Sequence, residues 1–149
     1  MKGRFPLDRG PLPMQMILLV DGDPLQARWR KSVLEERFSD VQRVSGAVDA
    51  LCLVEEPQFA RDLVLVICGH LMPGIGGAAF VAELHIRMPL LPVLVLANGS
   101  DDALSDYECE HVRFLPKQAG GREILAAASQ MVANGGHSMR PVPRDSISK

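Results

Sequence analysis

Residues 63–77, Leu63-Val64-Leu65-Val66-Ile67-Cys68-Gly69-His70-Leu71-Met72-Pro73-Gly74-Ile75-Gly76-Gly77, join a buried strand, a loop and a helix start. Leu63 to Ile67 is unbroken apolar sequence, the pattern of a central parallel strand covered on both faces; a strand with one wet face would alternate. After Cys68 the ladder cannot continue, because Pro73 has no amide donor and the glycines favour turns. The chain therefore turns at the carboxyl end of a central strand, the edge at which open α/β sheets hold their ligands.

Upstream, Met16 to Val20 is a first apolar strand running into Asp21-Gly22-Asp23-Pro24, where Asp23 suits the N-cap and Pro24 the first helical position. The helix should reach about Phe38, with Leu25, Trp29, Val33, Leu34 and Phe38 as its core stripe and Trp29 read as packing rather than a ligand platform. Val41 to Ser45 reads as a second strand. Ala47 to Glu55 reads as a helix with Val48, Leu51, Cys52 and Val54 as its apolar positions, ended before Pro57.

Downstream, Gly76 or Gly77 opens a helix to about Met88, in which Phe80, Val81, Leu84 and Met88 recur at helical spacing. Val93 to Leu96 is a fourth strand, followed by Ala97-Asn98-Gly99-Ser100 and a short acidic helix near Asp101 to Cys109. Val112 to Leu115 is the fifth strand, and Arg122 to Val132 a last helix with Ile124, Leu125, Ala128, Met131 and Val132 inward. Residues 1–14 read as a flexible N-terminal arm, 15–134 as the folded domain and 135–149 as a disordered C-terminal tail. Five strands alternating with five helices give a doubly wound parallel sheet, since each crossover must be right-handed.

The chain of 149 residues is 47% hydrophobic and 23% charged, which suits one soluble domain with a full core. A net charge of -2 gives no global reason to expect direct nucleic-acid or membrane binding, although residues 15–134 carry -6 and the two tails +4. Cys52, Cys68 and Cys109 are an odd number without CxxC spacing, so neither a disulfide framework nor a zinc site is expected, and a reducing cytoplasm fits best. No apolar run approaches the ~20 residues of a membrane span. Met1 to Met14 lacks a signal-peptide core.

The loops after strands one, three, four and five should line one cleft. Here the segments "ILLVDGDP", "LMPGIGG", "PVLVLAN" and "FLPK" resemble, in order and approximate spacing, the receiver domain of two-component response regulators over about residues 15–134. The resemblance implies a flavodoxin-like, CheY-like (βα)5 fold with strand order 2-1-3-4-5. In that family an acidic pair, an aspartate acceptor, a Ser/Thr and a lysine hold a divalent cation and a phosphoryl group. Carried over by motif, Asp21 matches the first acid and Lys117 the lysine, while Gly22, Gly69 and Ala97 replace the second acid, the acceptor and the hydroxyl residue. Phe114 holds the family's switch-aromatic position.

Phosphoryl transfer to a carboxylate needs that carboxylate as nucleophile and a cation to neutralise charge. Glycine supplies neither, and Asp21 alone should hold Mg²⁺ weakly, so no cofactor is expected. An unpaired Lys117 should lean on Asp21 directly. Asp23 is read as an N-cap before a substitute ligand, and Cys68 as a small buried hydrophobe before a redox sensor. His70 beside the lost acceptor could take a phosphoryl group only if its side chain shared the acceptor's direction, which neighbours at a strand end do not.

The expectation is a degenerate pseudo-receiver lacking the phospho-acceptor aspartate: a cytoplasmic, bacterial, non-enzymatic protein-interaction module in phosphorelay-type signalling. Its pocket would comprise Asp21, Gly22, Asp23, Gly69, Ala97, Asn98 and Lys117. Its partner would be a histidine kinase, another regulator or a second copy. The alternatives are a small-ligand sensor using the vacated pocket and an enzyme with a rerouted nucleophile, His70 or Asp23. With no helix-turn-helix after residue 134, direct transcription control is not expected. Asp101, Asp102, Asp106, Ala126 and Ala127 form the candidate interface, an acidic rim beside a smooth alanine run on the last helix.

Overall fold

A computed structural model of the chain describes residues 15–72, 74–98, 107 and 111–138. Its five strands are β1 (Met16–Val20), β2 (Asp40–Val44), β3 (Leu63–Gly69), β4 (Val93–Ala97) and β5 (Val112–Pro116). They form one parallel sheet in the order β2-β1-β3-β4-β5, the topology expected. Five helices are present among the described residues: α1 (Pro24–Leu34), α2 (Ala47–Val54), α3 (Pro57–Asp62), α4 (Gly77–Arg87) and α5 (Gly121–Ser138).

Every residue of β1 and β4 is buried, because each central strand is covered on both faces. The pleat divides them between two cores. Ile17, Leu19, Leu65, Ile67, Leu94 and Leu96 meet α1 and α5, whereas Leu18, Val20, Val66, Cys68, Val93 and Val95 meet α2 and α4. Phe80, with no exposed surface, anchors α4 on the second face. Truncating such a ring to alanine removes about 3–5 kcal/mol. The edge strands are wetter: Gln42 and Arg43 of β2 and Arg113 of β5 are exposed.

Three helix assignments are corrected. The buried face of α1 is Ala27, Arg30 and Leu34, while Leu25 (76% exposed) and Trp29 (45%) point outward. Leu25, Trp29 and Val33 form an equally regular stripe, rotated from the face that packs, and the inward stripe contains an arginine whose charge is matched inside. In α2 the small residues Ala47 and Ala50 face the sheet with Val54, and Val48 and Cys52 are exposed. Pro57, read as a stop, also starts α3, where a missing amide costs nothing at the first helical position.

The last helix continues to Ser138, four residues into the segment read as a tail. The acidic helix near Asp101 to Cys109, residues 1–14 and residues 139–149 lie outside the described residues, apart from Tyr107. No helix among the described residues is long and apolar enough to cross a membrane.

Candidate functional site

The carboxyl ends of β1, β3 and β4 and the turn after β5 enclose a cleft of about 810 Å³. Asp21, Gly22, Asp23, Gly69, Ala97, Asn98 and Lys117 all line it, so the seven pocket residues read from the sequence meet at one place. The loop after β1 is tightly bound. The Asp21 amide donates to the Val44 carbonyl at 3.0 Å, and Asp21 Oδ1 accepts from the Asp23 amide at 2.9 Å. Asp23 Oδ1 accepts from the Leu25 and Gln26 amides at 3.0 and 3.4 Å. That is the expected N-cap, and it commits this carboxylate to the helix start.

The main correction concerns Asp21. Its partner is Arg30, not Lys117. Arg30 is 4% exposed. Its Nη1 donates to Asp21 Oδ2 at 2.8 Å and its Nη2 to the Lys117 carbonyl oxygen at 3.0 Å. The guanidinium thus ties the loop after β1 to the loop after β5 from beneath the cleft. A planar fork can hold a carboxylate and a carbonyl together, whereas an ammonium is a strongly hydrated point charge favouring water. Lys117 is exposed and makes no ion pair among the described residues. Arg30 Nε is buried without a hydrogen-bond partner. From edge strand β2, Arg43 Nε and Nη2 donate to the Asp21 carbonyl at 3.0 and 2.8 Å, a second hold on the same loop.

On the other side, Gly69 ends β3. A Cβ there would lie 3.5 Å from the Leu71 carbonyl oxygen, an ordinary contact, and at Gly22 it would lie 3.4 Å from the Ser45 carbonyl oxygen. Side chains are therefore absent at these places without steric compulsion. Gly77 is different, because a Cβ would come within 2.6 Å of the Gly69 carbonyl oxygen and 2.9 Å of the His70 Cα. The first residue of α4 packs directly on the loop after β3, with its amide donating to the His70 carbonyl at 2.9 Å. Within that loop Gly74 has φ +87°, a conformation glycine adopts freely.

His70 Nδ1 lies 2.8 Å from the Tyr107 hydroxyl. Tyr107 in turn meets Phe114 edge-on at 5.1 Å. Phe114, the aromatic expected at the switch position, is half-buried against a tyrosine hydrogen-bonded to the loop after β3. Beneath the loop, burial pushes the Cys68 thiol up to about 12, so it remains a protonated core residue, as expected. Among the described residues no group of three His, Cys, Asp or Glu side chains is placed to hold a metal ion.

The candidate interface needs correction at one residue. Ala127 is 2% exposed and packs with Ile124, Ala128 and Met131 in the core, because small side chains let α5 lie close to the sheet. Ala126 is exposed. Asp101, Asp102 and Asp106 lie outside the described residues.

Arg30, Arg43 and Tyr107 were not foreseen. Ala27, Arg30 and Leu34 share helical spacing, and an acid nine residues before Arg30 across a capped turn could have marked it. Arg43 and Tyr107 join the site through pairings distant in sequence.

Comparisons with known proteins agree with this geometry. A family model described as response regulator receiver domain matches residues 17–129. The fold is similar to the signal receiver domain of an HD domain-containing protein from Pseudomonas fluorescens Pf-5, with TM-score 0.76 and 22% identity, covering 89% of this chain and 96% of that one. It is also similar to a response regulator receiver protein from Sinorhizobium medicae WSM419, with TM-score 0.74, 16% identity and coverage of 84% and 99%. A third similar structure is the signal receiver domain of a signal transduction histidine kinase from Syntrophus aciditrophicus, with TM-score 0.70, 21% identity and coverage of 80% and 91%. No curated protein sequence matches the chain.

Proposed function

The chain belongs to the response regulator receiver family of two-component signalling, and on that premise we propose that it is a phosphorylation-independent member: a pseudo-receiver, not an enzyme, that signals by binding a protein partner. The observation that carries this reading is Arg30. Its guanidinium already neutralises Asp21 and bridges to the Lys117 carbonyl, so the one carboxylate left from the family's acidic set is engaged internally. A cation entering the cleft would have to displace a buried guanidinium tethered to the same chain, with the Gly22 and Gly69 side-chain positions supplying no replacement oxygens. The partner is a histidine kinase, another regulator or a second copy. A reducing cytoplasm suits Cys52 and Cys68, which are free thiols.

The test is incubation with acetyl phosphate and Mg²⁺ followed by intact-mass measurement. No phosphoryl adduct is expected, and the melting temperature should not respond to millimolar Mg²⁺ at fixed ionic strength. Stoichiometric phosphorylation, or a saturable rise with Mg²⁺, overturns the reading.

The cleft itself favours a second reading, a small-ligand sensor. Its volume of about 810 Å³ falls within the ~300–1,000 Å³ typical of small-molecule sites.

A further inference from the structure

The two faces of the sheet differ in charge. Helices α1 and α5 cover one face, and α2, α3 and α4 the other. Residues 46–111, which include α2, α3, α4 and the connection to β5, carry ten carboxylates against Arg61 and Arg87, net -8 with histidines neutral. Residues 15–45 and 112–138, which include α1 and α5, carry +2.

On the less acidic face, α1 presents Leu25, Arg28, Trp29 and Ser32 to solvent, the i, i+3, i+4, i+7 spacing of one helical side. Trp29 is the single tryptophan of the chain. Its Cζ2 stands 3.5 Å from the place a Cβ would take at Gly121, so the ring is propped against the start of α5. Arg28 makes no ion pair among the described residues. Exposed tryptophan beside arginine is the combination in which binding energy concentrates at protein interfaces.

On the acidic face, a groove of about 460 Å³ runs between the end of β2 and α2, with Arg43, Val44, Asp49, Cys52, Leu53 and Glu56 along it. Val44, Cys52 and Leu53 supply apolar wall. Asp49 and Glu56 are exposed and make no ion pair among the described residues. Arg43, the one cation there, is turned to the Asp21 carbonyl. Because α1 and α2 lie on opposite faces of the sheet, no copy of the chain reaches its own groove with its own Trp29.

We propose, resting on the protein-interaction reading, that the partner is a second copy of this chain, whose Trp29 indole enters the groove beside α2 while its Arg28 meets the Asp49 and Glu56 carboxylates. Charge selects this occupant: the -8 face of one copy lies against the +2 face of the next, and opposite potentials favour both encounter and register. Anchor and groove are different surfaces, so the contact is heterologous. Such a contact repeats from copy to copy instead of closing at a two-fold dimer.

Sedimentation velocity on the full chain at low salt, from micromolar to submillimolar concentration, should show the average mass climbing past that of a dimer. Trp29 emission should shift to the blue as the indole leaves water. Both changes should reverse in about 1 M NaCl, where the screening length is ~3 Å. Two double variants separate the halves: Arg28→Glu with Trp29→Ala removes the anchor, and Asp49→Lys with Glu56→Lys removes the rim of the groove. All four side chains are exposed, so both variants should keep the parent circular dichroism spectrum. Each alone should self-associate at least about tenfold more weakly. An equimolar mixture should recover association but stop at a dimer, because one working anchor and one working groove remain. Tryptophan in that mixture belongs to the rim variant alone, so its blue shift reads the contact directly.

A chain that stays monomeric overturns the proposal, as does association that survives either variant, closes at a dimer in the parent or fails to return in the mixture. Binding of a peptide of residues 139–149 to a monomeric parent chain, lost in the rim variant, overturns it too and assigns the groove to the basic tail. None of these outcomes bears on phosphorylation independence, which the acetyl phosphate experiment reads separately.

Discussion

Replacing Arg30 by methionine keeps the helix and most of the side-chain volume but deletes the guanidinium. Two contacts vanish, Nη1 to Asp21 Oδ2 at 2.8 Å and Nη2 to the Lys117 carbonyl at 3.0 Å. The side chains of the pair are 5% and 10% exposed, so solvent screens them little. Removing one partner of a buried pair costs about 3–5 kcal/mol. Two effects reduce that figure: the mutation also removes the buried, unmatched Nε, returning on the order of 1 kcal/mol, and Lys117 is free to swing toward Asp21. The net cost is about 2–3 kcal/mol, or roughly 10 °C in melting temperature for a domain of this size.

Urea titration followed by circular dichroism measures the cost, and a double-mutant cycle with Asp21→Asn isolates the pair. The double variant should be at least about 1.5 kcal/mol more stable than additivity predicts. Lys117→Met should be neutral in the wild type but destabilising in the Arg30→Met background, where Lys117 becomes the substitute cation. A loss below about 0.5 kcal/mol for Arg30→Met, or strict additivity in the cycle, would refute the bridging role.

Three further outcomes follow from packing. Gly77→Ala should cost about 2 kcal/mol in urea titration, since its Cβ would stand 2.6 Å from the Gly69 carbonyl oxygen, whereas Gly69→Ala should be nearly neutral; equal costs would contradict the close approach of α4. Ala127→Glu should leave little folded protein by circular dichroism, a loss above about 3 kcal/mol from a charge forced into the core, while Ala126→Glu stays within about 0.5 kcal/mol. A folded Ala127→Glu variant would show that α5 packs otherwise. The folded-state Cys68 value of about 12 exceeds its unfolded value, so its contribution is whole below about pH 9 and is lost as pH rises toward 12, by up to ~1.4 kcal/mol per unit. Cys68→Val should flatten that alkaline decline, and an unchanged slope would count against burial as its cause.

The strands were legible because burial on both faces leaves unbroken apolar runs, and the glycine, proline and aspartate residues around them mark the turns by their own backbone chemistry. The pocket residues were legible because strand ends in such a sheet converge on one edge. The rotation of α1 was not: Leu25, Trp29 and Val33 satisfy helical spacing as well as Ala27, Arg30 and Leu34, and hydrophobicity ranks the wrong set higher. An arginine turns inward only when its acceptors are already in place, and those acceptors are supplied by the turns after β1 and β5. Alanine runs carry no periodicity, so the inward placement of Ala127 could not be read from neighbours of the same size.

A counter-ion recruited from solution can be diluted, exchanged or chelated; the one at Asp21 cannot, because the Arg30 guanidinium is tethered to the same chain nine residues away. Its effective local concentration is set by helix geometry rather than by the surroundings. On the reading proposed above, the charge state of this loop is therefore set by the chain itself and stays indifferent to divalent-ion supply and to chelators.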